Sequence, residues 1–203
     1  MSTTRLLLLG AVRIFQPVHG YLLRRELLSW QVEDWGNVNP GSIYSGLRTL
    51  AKHGLLAEEP GEPIAYRLTA DGEVEFQRLL AQALREPDPG DASRLLGGLC
   101  FMTVLPRAEV REALRARALV LEAMVSGSAA MARSIQESRL APASTVELSL
   151  VIGHWLGGEL AWVHELCGRI DVGHYRFAGD PGAPDRPVDG SWPPAVLGAP
   201  ETA

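Results

Sequence analysis

The sequence predicts a mainly α-helical chain that contains one small β-hairpin. Apolar residues recur at helical spacing in four segments of the first 85 residues, and again in two long segments after residue 106. Two short strand-like segments, 55–59 and 64–68, flank a Pro-Gly-Glu-Pro turn. The expected order is therefore three helices, a hairpin, a fourth helix and then long helices.

The first helix contains the apolar run that begins at Leu6, and it ends near Gln16-Pro17. This run is too short to span a membrane and lacks the flanks of a signal peptide, so we assign it to the folded part of the chain. The second helix opens at His19-Gly20. After the hairpin, Thr69 caps a fourth helix that continues to about Arg85.

The third helix, from Asn39 to His53, has one apolar and one polar face. Asn39 is a good N-cap, Pro40 fits the first turn because its missing N–H is not needed there, and Gly54 supplies a C-terminal stop. The apolar face is formed by Ile43, Leu47, Leu50 and Ala51. The polar face offers possible partners for phosphates or base edges: Ser42, Tyr44, Ser45, Arg48, Thr49 and Lys52.

No Asp or Glu occurs from Trp35 to Ala57, although the whole chain has a net charge of −5. The absence of acidic residues favours contact between the third helix and DNA. Three helices followed by a hairpin is also the order of a winged helix-turn-helix, in which the third helix enters the major groove and the hairpin, or wing, lies against the backbone or minor groove. We therefore predict a winged helix DNA-binding domain over residues 1–85.

A Pro- and Gly-rich segment, 86–90, marks the end of this domain. Beyond it, a short helix (91–101) precedes a long helix over 107–140. Alternating steps of four and three along the long helix predict a coiled-coil-like seam, in which six of eight members are apolar. The seam consists of Val110, Leu114, Arg117, Leu121, Met124, Ser128, Met131 and Ile135. We expect Gly127 to kink or interrupt this helix.

A last helix is predicted over residues 143–170. Together with the preceding helices it gives an antiparallel helical domain over 91–170. The final segment, 171–203, holds 6 of the 14 prolines and is predicted to be a disordered tail.

Charge and cysteine content exclude several classes of protein. Residues 1–85 contain 9 basic and 9 acidic side chains, and residues 86–203 contain 10 basic and 15 acidic ones, so the negative charge lies in the C-terminal part. This balance argues against a protein coated with nucleic acid, but it allows one local docking surface. Cys100 and Cys167 belong to no CxxC motif, so we expect no disulfide framework, no structural zinc and a cytoplasmic location.

Several motifs in the first 85 residues resemble the PadR family of bacterial transcriptional regulators. The motifs are His19-Gly20-Tyr21 at the second helix, Gly41-Ser42-Ile43-Tyr44 followed by Leu47, Leu50 and Gly54-Leu55, and Tyr66, Leu68, Thr69 and Gly72 at the wing exit. Together they cover about residues 4–85. The C-terminal part is similar to the longer PadR subgroup in helical layout, with Gly157, Glu159 and Trp162 as loose matches.

This resemblance implies a homodimeric repressor that binds an inverted-repeat operator in double-stranded DNA, with the C-terminal helices as the dimer interface. It assigns DNA contacts to Ser42 and Tyr44, with Arg48 as a neighbour on the same face. The wing departs from the family, whose wings usually carry Arg or Lys near the tip, because residues 61–65 here read Gly-Glu-Pro-Ile-Ala. We expect Arg67 to compensate in part as a DNA contact.

The last helix carries residues at regular spacing that allow two interpretations. Leu148, Trp155 and Trp162 recur every seven residues. They can form the core of a dimer, or they can line an effector pocket, since dimeric PadR-like regulators can bind planar aromatic or phenolic ligands between subunits. In the second interpretation Trp155 and Trp162 stack on a small aromatic ligand and His154 is a polar partner.

The sequence carries no motif for catalysis or for a bound cofactor. There is no Gly-rich phosphate loop, no GxSxG and no HExxH, and we expect no enzyme activity, no metal, no cofactor and no membrane partner. An alternative function is a winged-helix protein-interaction module that has lost specific DNA binding. The net negative charge of the chain and the lack of a basic residue near the wing tip favour that alternative. The third helix, which contains no acidic residue, argues against it.

Overall fold

The computed structural model describes residues 3–36, 38–138 and 142–181. This part of the chain forms eight α-helices and one three-stranded antiparallel sheet, which confirms the predicted fold class of a mainly helical chain with a small winged sheet. The elements are α1 Thr3–Phe15, β1 Val18–His19, α2 Gly20–Ser29, α3 Val32–Trp35, α4 Pro40–Lys52, β2 Leu56–Glu59, β3 Ala65–Leu68, α5 Ala70–Arg85, α6 Ser93–Phe101, α7 Arg107–Ser138 and α8 Val146–Asp171.

Helix α1 is the centre of the N-terminal core. Its side chains Leu7, Leu9 and Val12 are fully buried, and the helix packs against α4, α5 and α6. The Phe101 ring at the end of α6 enters the same core and meets Phe76 of α5 edge to face, with 5.6 Å between ring centroids. Helix α6, which follows the Pro- and Gly-rich segment, is therefore packed against the helices that precede it.

The sheet has one strand more than the sequence pattern indicates. Strand β3 lies in the middle and pairs with β2 on one side and with β1 on the other, so the order is β1-β3-β2. Val18 is opposite Tyr66 and His19 is opposite Ala65. The prediction of a two-stranded hairpin missed β1 because two residues are too few to show the alternation that identifies a strand.

Helices α7 and α8 form a long antiparallel hairpin. The predicted seam of α7 packs against α8 of the same chain from Val110 to Ser128, with Val110, Leu114 and Leu121 fully buried, whereas the next member, Met131, is 57% exposed. The prediction that Gly127 interrupts this helix is wrong, because α7 is continuous from Arg107 to Ser138. A single glycine lowers helix stability only by about 1 kcal/mol, which the packing of the hairpin offsets.

The two polar members of the seam both bind α8. The Ser128 hydroxyl donates a hydrogen bond to the carbonyl of Ser149. The Arg117 guanidinium, only 2% exposed, donates from Nε to Glu159 Oε1 at 2.6 Å. The Arg117 Nη1 also donates to the carbonyls of Ala83 (3.1 Å) and Glu86 (3.0 Å), at the C-terminal end of α5. Arg117 therefore connects α5, α7 and α8.

The first part of the predicted disordered tail is folded. Residues 172–181, which we call the C-terminal clasp, return to the start of α7, and Phe177 is fully buried. The Arg107 guanidinium lies 4.9 Å from the centroid of the Phe177 ring and forms an ion pair with Asp180. A cation stacked on an aromatic ring and paired with a carboxylate fixes the segment in place. The remainder of the predicted tail, 182–203, lies outside the described residues.

The clasp also contacts the connection between α6 and α7. The Ala178 N–H donates to the carbonyl of Thr103 at 3.0 Å, and Ala178 pairs with Pro106 in a parallel β-bridge. The end of the long hairpin is thereby attached to the segment that leaves the N-terminal core.

One helix among the described residues, α7, is long and apolar enough to cross a membrane by length and composition, with a mean hydropathy of 1.2 over its most apolar window. The same helix packs along α8, and its Arg117 is bonded to α5 and α8. Only 17% of that window is buried, so packing within the hairpin covers a small part of it.

Replacing Arg117 with Ala should lower the free energy of unfolding by about 3 kcal/mol. The change leaves the Glu159 carboxylate without its cation and the last carbonyls of α5 without a donor. Urea denaturation measures the loss. Arg115→Ala, which removes an exposed arginine two residues earlier on the same helix, is the control and should change stability by about 0.5 kcal/mol or less. Equal losses in the two variants would contradict the role assigned to Arg117.

Candidate nucleic-acid interface

Helix α4 has a defined start and a defined end. The Asn39 side chain accepts a hydrogen bond from the Ser42 N–H at 3.0 Å, and Pro40 is the first helical residue. At the other end Gly54 has φ = +73°, a conformation that favours glycine, and the Leu55 N–H returns to the carbonyl of Leu50 at 3.0 Å. Both ends follow the predicted capping, so the direction and length of α4 are set by local interactions.

The two faces of α4 differ in burial as the sequence pattern predicts. Ile43, Leu47 and Leu50 are buried against the core. The opposite face is exposed at positions three and four residues apart, and Ser42 lies half-buried at its margin. The exposed candidates for DNA contact are Tyr44, Ser45, Arg48, Thr49 and Lys52. The six side chains of α4 that the sequence singles out therefore lie on one side of one helix.

The hydroxyl groups on this face already donate hydrogen bonds within α4. Ser42 Oγ donates to the Asn39 carbonyl at 2.7 Å, Thr49 Oγ1 donates to the Ser45 carbonyl at 2.8 Å, and Ser45 Oγ donates to two carbonyls of the preceding turn. Each hydroxyl oxygen keeps its acceptor capacity and must rotate before it can donate to a phosphate. The strongest donors that α4 presents are consequently Arg48 and Lys52.

Tyr44 combines a packed ring with an exposed surface. It is 40% exposed, and its ring lies against the start of α2, where a Cβ on Gly20 would stand 3.2 Å from both Cδ1 and Cε1 of Tyr44. Such a contact is tighter than ordinary van der Waals contact, so the absence of a side chain at Gly20 lets the ring approach. The glycine of the His19-Gly20-Tyr21 motif at the start of α2 therefore leaves room for the ring of Tyr44 on α4.

The charges on α4 are not compensated by carboxylates of the described residues. Neither Arg48 nor Lys52 forms an ion pair within this part of the chain. Burial is the main cause that raises the pKa of the nearby Tyr66 hydroxyl. The Glu58 carboxylate on β2 raises this pKa further, and the Arg48 guanidinium on α4 lowers it. Tyr66 therefore stays neutral at neutral pH.

Two side chains that the sequence interpretation did not assign to the interface hold the wing in place. Gln16, only 6% exposed, accepts a hydrogen bond from the Leu68 N–H at 2.7 Å. His19 Nδ1 lies 3.2 Å from the carbonyl of Ile64 near the wing tip. Both contacts join residues about 50 positions apart, and sequence spacing alone gives no signal for them.

The charge of the wing differs from that of α4. The exposed Arg67 is the only cation of residues 56–68, and its Nε lies 2.6 Å from Glu59 Oε1. Glu58 and Glu62 add two further exposed carboxylates. The wing is therefore acidic, and Arg67 is already paired in the free protein.

The possible effector residues lie on the outer side of α8. Trp155 is 68% exposed, Trp162 is half-buried against the core of the hairpin, and His154 is exposed. His154 Nδ1 lies 2.8 Å from the carbonyl of Leu150, a contact in which the nitrogen carries the proton. The other ring nitrogen of His154 is then an acceptor. Trp155 and Trp162 are seven residues apart and share one side of α8, whereas His154 is turned from Trp155 by about 100° around the helix.

The described residues contain no group of three or more His, Cys, Asp or Glu side chains that could hold a metal ion. Cys100 and Cys167 are free thiols in this part of the chain. Burial is the main cause that raises the pKa of each of them, which is the opposite of what activates a nucleophilic thiol.

Removing the cap of α4 should lower the stability of the protein measurably. Asn39→Ala leaves the Ser42 N–H without its side-chain acceptor, and we expect the free energy of unfolding to fall by about 1 kcal/mol in urea denaturation. Asn39→Asp keeps an acceptor at the same position and adds a favourable charge at the helix N-terminus, so its stability should stay close to that of the parent. Equal stabilities of the two variants would argue against the cap.

Comparisons were made with family models, curated proteins and solved structures. No protein-family model matches the sequence, and no curated protein matches it. Among solved structures, the chain is similar to the crystal structure of the PadR-like transcriptional regulator BC1756 from Bacillus cereus. The two share 18% sequence identity at a TM-score of 0.35, and the match covers 83% of this chain and 98% of that chain.

Proposed function

We propose that this chain is a cytoplasmic DNA-binding transcriptional regulator that acts as a homodimeric repressor. In this proposal residues 1–85 bind DNA and residues 91–170 form the dimer and effector domain. The observation that carries the proposal is the exposed stripe on α4, where Arg48 and Lys52 make no ion pair within the described residues. Arginine and lysine in this setting are free to bind phosphates, and Arg48 can also bind a guanine edge.

The symmetry of the proposed dimer determines the symmetry of the operator that it would bind. Two copies of α4 related by two-fold symmetry would enter successive major grooves, about 34 Å apart, and would read an inverted repeat. Ser42, Tyr44, Ser45 and Thr49 would contact phosphates or base edges beside the cations. Because the charge of the whole chain is negative, DNA contact is confined to the local surface around α4.

Replacing Arg48 with Ala should weaken operator binding by about threefold to tenfold at low salt, without changing the fold. The loss of one phosphate contact in each of the two subunits should also reduce the slope of log affinity against log salt by about 1.8. Fluorescence anisotropy with DNA from upstream of the protein's own gene measures both quantities. Arg85→Ala, at the end of α5, is the control and should bind like the parent. Unchanged binding by the Arg48 variant would remove α4 from the interface.

The dimer interface is proposed on the outer surface of the α7–α8 hairpin. Several large apolar side chains are exposed there in the single chain, among them Leu119 (67%), Met131 (57%), Leu148 (65%) and Trp155 (68%). Soluble proteins rarely leave an extensive apolar surface in water, and a second copy of the same hairpin would cover it.

Placing a charge on this surface should produce monomers. For Trp155→Glu we expect sedimentation at micromolar concentration to report a single chain, because a carboxylate cannot be buried unpaired between two apolar faces. Val74→Glu is the matched control, since Val74 is 69% exposed but lies on α5, away from the hairpin. A parent protein that sediments as a monomer would contradict the homodimer, and with it the proposed inverted repeat.

A small aromatic effector is proposed to bind beside Trp155 and Trp162 and to release the DNA. The indole faces supply stacking surfaces, and the free ring nitrogen of His154 can accept a hydrogen bond from a phenol. A ligand that favours one spacing of the two α4 helices over another would shift the population of DNA-binding dimers.

Titration with a panel of planar phenols and aromatic acids should quench tryptophan fluorescence in a saturable way and lower operator affinity. Trp155→Phe should lose the part of the quenching that comes from Trp155 and keep the part that comes from Trp162, since both indoles belong to the proposed site. A flat response across the panel, in both the parent and the variant, would leave Trp155 and Trp162 as dimer core.

A protein-interaction module that has lost specific DNA binding is the second candidate function. The acidic wing favours it, because Glu58, Glu59 and Glu62 face any partner beside a single arginine. The two candidates differ in one measurement. A regulator prefers its upstream DNA over a scrambled duplex of equal length, whereas an interaction module shows no such preference.

A further inference from the structure

We propose that Glu59 restrains Arg67 in an ion pair on the wing, which withholds the only wing cation from the DNA backbone and leaves binding dependent on α4. This inference rests on the proposed DNA-binding function. It assigns the contacts with the DNA backbone to α4 and none to the wing.

The pairing is set by the register of the hairpin. Arg67 is opposite Ala57 and Glu59 is opposite Ala65, so Arg67 and Glu59 are diagonal neighbours on one face of the β2–β3 ribbon. The Arg67 Nε lies 2.6 Å from Glu59 Oε1, within the range of a charge-assisted hydrogen bond. The two side chains are 46% and 41% exposed, so the pair lies at the surface that a DNA backbone would approach.

The other charges of the wing strengthen the restraint. If Arg67 turned towards a phosphate, the Glu59 carboxylate would be left unpaired beside the DNA, with the exposed Glu62 at the wing tip as a second carboxylate. Glu58 is opposite Tyr66 and points to the other face of the ribbon. Two carboxylates and one guanidinium then face a polyanion, and the gain from a phosphate contact is opposed by repulsion. On α4, by contrast, no carboxylate occurs between Trp35 and Ala57, so Arg48 and Lys52 are not restrained.

Neutralising Glu59 is therefore expected to release Arg67 and to strengthen DNA binding. Glu59→Gln keeps the size of the side chain and removes its charge. It should add one phosphate contact in each subunit of the proposed dimer, and the two contacts together increase the magnitude of the salt slope by about 1.8. The affinity advantage of the variant over the parent should grow about twelvefold when the salt is lowered from about 200 mM to about 50 mM. Because phosphate contacts carry no sequence information, the gain should be similar on the operator and on scrambled DNA.

Two further variants separate the release of Arg67 from a general effect of charge. Glu112→Gln makes the same charge change in an exposed ion pair with Arg85, which joins α5 to α7, and it should leave the salt slope unchanged. In the double variant Glu59→Gln/Arg67→Gln no cation remains on the wing, and the slope should not exceed that of the parent. A gain in slope that persists in this double variant, or that Glu112→Gln reproduces, would overturn the proposal.

The parent protein separates failure of this inference from failure of the proposed function. If the parent shows no preference for its upstream DNA over a scrambled duplex, the DNA-binding function fails and the inference fails with it. If the parent binds specifically but Glu59→Gln leaves affinity and salt slope unchanged, only the restraint by Glu59 is wrong. Circular dichroism confirms that each variant is folded before its binding is compared.

Discussion

The buried guanidinium of Arg117 is the interaction on which the arrangement of the two parts of the chain depends. A charge that is 2% exposed is stable only when it is paired and its N–H groups are satisfied. Glu159 on α8 supplies the counter-charge, and the carbonyls that end α5 supply the acceptors. Those carbonyls carry the negative end of the helix dipole, so the cation also stabilises the end of α5.

This single side chain couples elements that are distant in sequence. Helix α5 belongs to the core that carries α4 and the wing, and α8 carries the exposed apolar surface of the hairpin. A change in the packing of α7 against α8 would alter the position of Arg117 and therefore the end of α5. The core also holds Phe101 of α6, which meets Phe76 of α5 edge to face, so the helix that precedes the hairpin is packed into the same core.

Local chemistry explains which parts of the fold could be predicted from the sequence. The capping of α4 by Asn39 and the turn at Gly54 depend on neighbouring residues only, and both were predicted. The seam of α7 was also predicted by its spacing, although nothing in that spacing indicates that its polar member Arg117 binds α5. The strand β1 is too short to show a pattern, and the clasp around Phe177 lies in a segment whose Pro and Gly content is typical of a disordered tail.

The candidate interface also has one part that the sequence predicted and another that it did not. Periodicity on α4 was enough to place six side chains on one face, because helix geometry fixes their relation. The pairing of Arg67 with Glu59 depends on the register of two strands, and a sequence alone leaves that register open. The exposure of Trp155 depends on which side of α8 faces α7, which is also a property of the packed hairpin.

The attachment of the clasp to the connection between α6 and α7 has a mechanical consequence. It fixes the base of the hairpin, while Ser138, the last residue of α7, lies at the far end of a long rod. At 1.5 Å per residue, Arg117 lies about 15 Å from Arg107, and Ser138 lies about 32 Å beyond Arg117. Because the clasp and Arg117 hold the rod near its base, bending of the rod displaces the residues near Ser138 more than those beside the winged helix.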